Sequence, residues 1–172
     1  HILQNGGVIA YPTDTLYGLG ADPFSLNGVA KIVEVKGRSF DKGLPLLLAD
    51  IEDMDNLVRA KPALAMRLAK AFWPGPLTLI LLAAPGVPKV VLQNDCTVAL
   101  RVPDHPVPRA LARGLGGPII GTSANITGGP NPVTAGDVVE TLGEAVDYVL
   151  DGGPAYLGDP STVVDLTGNS PK

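Results

Sequence analysis

The stretch NGVAKIVEVK at residues 27–36, followed by Gly37-Arg38 and then by LPLLLA at residues 44–49, decides the fold. Val29, Ile32 and Val33 recur at helical spacing and predict a helix ending at Lys36, with Asn27 as its N-cap. Gly37 suits the left-handed position just past a helix end. The apolar run at 44–49 then reads as a strand. A helix that hands over through glycine to a buried strand is the joint of an α/β fold. It leaves two cations, Lys36 and Arg38, beside a sheet edge, where they can meet a polyanion such as a nucleotide triphosphate. The plainer alternative is that they complement the helix dipole and stay solvated.

Working outward, residues 8–11 read as a buried strand, and PTDTLYGLG at 12–20 as a polar turn at its carboxyl end, where open α/β sheets hold ligands. Residues 50–58 form a weak helical pattern, and Pro62 opens a better one that WPGP at 73–76 stops. Further strands are expected at 77–82, 97–102, 118–121, 148–150 and 161–166, and helices at 106–115 and from Thr134 to 142. Arg101 stands inside VALRV, an unusual place for an arginine. It faces either a ligand anion or a salt-bridge partner. The opening residues 2–7 resemble a helix tail with a glycine stop, so the expectation is one domain over 1–172 that lacks an upstream helix and a few C-terminal residues. The expected class is α/β: a twisted, mostly mixed sheet with flanking helices and a concave ligand cleft.

The 172 residues carry a net charge of −4, with 13 Lys and Arg against 17 Asp and Glu, which argues against non-specific nucleic-acid binding as the main role. One cysteine excludes an intrachain disulfide and a cysteine zinc cluster, and fits a cytoplasmic setting. No apolar run is long enough to span a membrane. The Walker and dinucleotide glycine patterns are absent. GTSAN at 121–125 has Asn125 where a serine nucleophile elbow needs glycine, and His105, between prolines and aspartate, reads as a turn residue rather than a base. What remains is a distributed set of hydroxyls, an amide and cations, suited to positioning substrates and offsetting phosphate charge rather than to covalent catalysis.

Six motifs, YPTDTLYGLGA at 11–21, KGR at 36–38, WPGPLT at 73–78, ALRVP at 99–103, SAN at 123–125 and STVVD at 161–165, together resemble the threonylcarbamoyl-AMP synthase family with its YrdC-like fold. The resemblance implies an enzyme, a nucleotidyltransferase. It makes threonylcarbamoyl-AMP and pyrophosphate from L-threonine, bicarbonate or carbon dioxide, and ATP accompanied by magnesium. Other proteins then transfer the threonylcarbamoyl group to a tRNA adenosine. By position, Lys36 and Arg38 would be catalytic and bind ATP with Lys42, Thr97, Ser123, Asn125 and Asn131. Thr15, Arg101 and Ser161 would bind L-threonine. No member of this set reads as a general base, which leaves that role to water or bicarbonate. Some members of the family carry Asn at the position of Lys42 and His at that of Leu47, and many have an arginine beyond the last strand. Two other readings share the fold: a module binding double-stranded RNA or tRNA, and a carbamoyl-transfer relative.

Overall fold

The computed structural model describes residues 1–37, 43–168 and 170–172. Its strands are β1 (Ile9–Tyr11), β2 (Gly18–Gly20), β3 (Leu46–Leu47), β4 (Leu77–Leu82), β5 (Thr97–Arg101), β6 (Ile119–Ile120), β7 (Thr122–Ser123), β8 (Tyr148–Val149) and β9 (Thr162–Asp165). Its α-helices are α1 (Leu26–Lys36), α2 (Ala63–Phe72), α3 (Pro106–Leu115) and α4 (Ala135–Leu142). The α/β class is as expected. The strands divide into two mixed sheets, in the orders β7-β2-β1-β8 and β6-β3-β5-β4-β9.

The five-stranded sheet supplies the floor of the cleft. In β4, Leu79 and Leu81 turn into the core while Thr78 and Ile80 take the opposite face. In β5, Val98 and Leu100 turn inward while Ala99 and Arg101 share the face of Thr78 and Ile80. This is the two-residue alternation of a pleated strand, and it puts Arg101 at the end of the cleft-facing row. β3 runs parallel to β5 with Leu47 opposite Arg101, and β9 runs parallel to β4 with Val163 opposite Thr78. The main core, which includes Tyr17, Leu46, Leu48, Leu79, Leu100 and Ile120, lies behind this floor.

Several expected elements begin or end elsewhere. Ser25, not Asn27, caps α1, its hydroxyl accepting from Gly28 N–H at 3.3 Å. Gly37 takes the left-handed conformation, φ 61°, as its position required. Residues 50–58 contain a 3-10 helix, Ile51–Asn56, closed by a reciprocal Asp50–Asp53 capping box. Gly18–Gly20 is a strand where a turn was expected. Its glycines serve close packing, because a Cβ on Gly20 would stand 2.5 Å from the Tyr11 ring. β4 and α3 match their expected bounds, and α4 starts at the Thr134 cap as read.

Candidate functional site

Between antiparallel β1 and β2 the chain forms a buried polar loop over residues 12–17. Thr13 organises it. Its hydroxyl donates to Leu16 C=O at 2.7 Å and accepts from the backbone N–H of Thr15 and of Leu16. With that proton committed, the 2.9 Å contact between the Thr13 and Thr15 hydroxyls runs from Thr15 to Thr13. A second segment lies across this loop: Leu157 N–H donates to Asp14 C=O and Gly158 N–H to Thr15 C=O, each at 3.0 Å.

Arg101 reaches this loop from the end of β5. It is 5% exposed. Its Nε donates to Gly75 C=O at 2.9 Å, one terminal nitrogen donates to Thr15 Oγ1 at 2.8 Å, and the other pairs with Asp14 Oδ1. Asp14 is 3% exposed. Arg101 therefore has the salt-bridge partner that one expectation named, and it also lines the cleft. Each terminal nitrogen keeps a second hydrogen beyond these bonds, enough to receive a carboxylate.

Two hollows meet at Arg101. One, of about 240 Å³, is lined by Thr15, Ser123, Asn131 and Ser161 among others. The other, of about 410 Å³, runs over the sheet floor past Thr78, Ile80 and Gln93. Pro45, Leu47, Arg101, Gly121 and Ser161 line both. A continuous cleft with a cation at the junction suits two ligands side by side. Ser161 is held by a 2.8 Å hydroxyl contact with Thr78.

Lys36 stands behind the wall of this cleft. The helical spacing that buries Val29 and Ile32 also turns Lys36 inward, and it is 3% exposed. Its Nζ donates to Ser123 C=O at 2.8 Å, Asn125 C=O at 2.8 Å and Asn125 Oδ1 at 2.9 Å. Asn125 Nδ2 continues the network to the carbonyls of Gly129 and Pro130. The ammonium thus fixes the loop that presents Ser123 and Asn131. Thr97 lies outside both hollows, and its hydroxyl donates to Gln93 C=O at 3.0 Å. Arg38 and Lys42 lie outside the described residues.

Asp14 and Thr78 are site residues that sequence reasoning did not single out. His105 also adjoins the site. It caps α3, Nδ1 accepting from Val107 N–H at 3.2 Å, and its ring packs on Tyr156. Burial holds its pKa below the usual imidazole value, opposed by the charges of Asp14 and Asp104. Burial likewise pushes the Tyr11 phenol far up, opposed by Arg101, and its hydroxyl donates to Ile120 C=O at 2.7 Å. No group of acidic, histidine or cysteine side chains among the described residues could hold a metal ion. No described helix is long and apolar enough to cross a membrane.

The Sua5/YciO/YrdC family model, described as "Telomere recombination", matches residues 1–172. The chain belongs to the Sua5/YciO/YrdC family. Two relatives named threonylcarbamoyl-AMP synthase are similar over nearly all of it. The Bacillus subtilis protein is 42% identical over 172 residues, covering 99% of this chain and 49% of its own length. The Pyrococcus abyssi protein is 41% identical over 165 residues, covering 96% and 48%. The chain spans about half the length of these relatives. A crystal structure of P. abyssi Sua5 complexed with L-threonine superposes with a TM-score of 0.95 at 40% identity, covering 99% of this chain and 50% of that one. The YrdC-like fold expected from the six motifs is thus the fold of this Sua5/YciO/YrdC chain.

Proposed function

We propose that this chain is a nucleotidyltransferase that makes threonylcarbamoyl-AMP and pyrophosphate from L-threonine, bicarbonate or carbon dioxide, and ATP. The observation that carries this reading is Arg101 at the junction of the two hollows, with a hydroxyl on either side in Thr15 and Ser161. A guanidinium forks onto a carboxylate, and the hydroxyls offer partners to an amino acid that itself carries one. A relative at 40% identity binds L-threonine, which supports the same ligand here.

In this reading the threonine amine loses a proton and takes up carbon dioxide as a carbamate. A carbamate oxygen attacks the α-phosphorus of ATP in line, and pyrophosphate leaves with the electron pair of the broken P–O bond. Magnesium would arrive with ATP as part of the substrate, held by phosphate oxygens and water. Ser123, Asn125 and Asn131 serve the nucleotide side, with Lys36 positioning their loop from behind. Arg38 and Lys42 are assigned to the phosphates. The product's threonylcarbamoyl group would pass to a tRNA adenosine through other proteins.

The test is pyrophosphate release with ATP, bicarbonate and each amino acid in turn. Release with L-threonine and little with L-valine, which has the same shape without the hydroxyl, is expected, because a site built to bond a hydroxyl rejects an analogue lacking it. Release independent of the amino acid, or none with threonine, would overturn the reading.

A further inference from the structure

Asp14 holds Arg101 by one oxygen. The other, Oδ2, is buried and has no hydrogen-bond partner among the described residues. A carboxylate meant only to lock a guanidinium would grip both terminal nitrogens, yet here one of them goes to Thr15 instead. Asp14 is also absent from the lining of both hollows, so its charge acts on the cleft through Arg101. The nearby His105 accepts at Nδ1 from a backbone N–H, an arrangement that suits the neutral ring. Among the described residues, Arg101 is the cation that answers the Asp14 charge.

We propose that Asp14 is an affinity-limiting anion that competes with the substrate carboxylate for Arg101 and so keeps the amino-acid site from holding its product too tightly. This rests on the threonine reading above. Threonylcarbamoyl-AMP retains the carboxylate of threonine. Whatever grip Arg101 has on the substrate therefore persists in the product and must be undone at release. A permanent carboxylate already on the guanidinium lowers that grip at both stages and repels the incoming carboxylate across a shared cation.

Asp14→Asn keeps the shape and one acceptor while removing the charge. It is expected to bind L-threonine about tenfold more tightly, the surplus of a charge-assisted hydrogen bond over a neutral one. ATP affinity should not change. Both kcat and the KM for threonine should fall, as when release rather than chemistry is slowed. An Asn variant that binds threonine more weakly, with KM raised, would show that Asp14 only holds Arg101 in place and would overturn the proposal. A second measurement needs no variant. In the wild-type protein L-threoninamide, which lacks the carboxylate charge, should bind within about tenfold of L-threonine. An amide weaker by a hundredfold or more would mean an undamped Arg101 and would also overturn it. Wild-type protein that binds no threonine at all would instead remove the functional reading beneath it.

Discussion

Arg101 and Lys36 are both cations buried almost to the same degree, and they do different work. Arg101 shares its charge with Asp14 and opens onto the cleft at the meeting of two hollows. Lys36 reaches the same cleft from behind, through carbonyl and amide oxygens of Ser123 and Asn125. A planar guanidinium has donors on several edges, so it can be anchored on one side and still offer hydrogens on another. An ammonium is a compact point charge that several carbonyl dipoles can surround. The first chemistry leaves donors facing the cleft, and the second ties together the loop that forms its wall.

Removing each cation should separate the two roles. Arg101→Ala leaves the Asp14 carboxylate buried without its cation, and breaking a buried pair in this way typically costs about 3–5 kcal/mol of stability. Threonine binding should weaken by roughly 1.5–3 kcal/mol, because its carboxylate would then face Asp14 with no cation between them. Urea titration and calorimetry read the two effects. Equal losses of threonine and ATP affinity would erase the distinction. Lys36→Met preserves length and apolar packing while taking the ammonium from Asn125 C=O, whereas Ser123 C=O keeps Asn125 N–H and Asn125 Oδ1 keeps the Ser123 hydroxyl. A loss of about 1–3 kcal/mol is expected, with ATP affinity falling more than threonine affinity. If threonine affinity falls more, the wall that Lys36 shapes belongs to the amino acid.

The difference between the two cations was only half legible in the sequence. Arg101 was: an arginine within an apolar strand has to have a partner or a ligand, and it has the partner in Asp14 and lines the cleft. The burial of Lys36 was present but unread. Residues 29, 32 and 36 lie on one helical face, so a stripe drawn through Val29 and Ile32 passes through Lys36 as well. Reading the lysine only as the end of the helix left out the inward face it shares with Val29 and Ile32. β4 was legible as an apolar run that starts directly after WPGP, and α3 because Pro106 marks its start. β2 was not, because glycine is the signal for a turn and here it answers the bulk of Tyr11 on the paired strand and of Ile119 on the other sheet. Asp14 was hidden for another reason. A carboxylate among hydroxyls after a strand looks like loop chemistry, and only the register that brings β5 beneath the loop makes it the partner of Arg101.

His105 offers the smallest and most specific probe, because it stands beside the anion of the displayed pair without joining it. Its folded pKa lies below the unfolded value of about 6.5, chiefly through burial. The unfolded chain therefore binds the proton first as pH falls. Stability contributed by the neutral ring is present in full above the unfolded pKa and is lost as pH drops toward the folded one. Thermal melts should show a falling Tm from about pH 7 downward in the wild-type protein. His105→Asn keeps an acceptor for the α3 N-terminus and removes the titration, so its melt should depend less on pH over that window. The comparison is sharpened by adding saturating L-threonine. If the ligand carboxylate draws Arg101 away from Asp14, more of the Asp14 charge acts on His105, its folded pKa rises, and the acid slope of the wild-type melt becomes shallower. A slope that does not respond to threonine would mean that the buried pair stays closed when the cleft is filled.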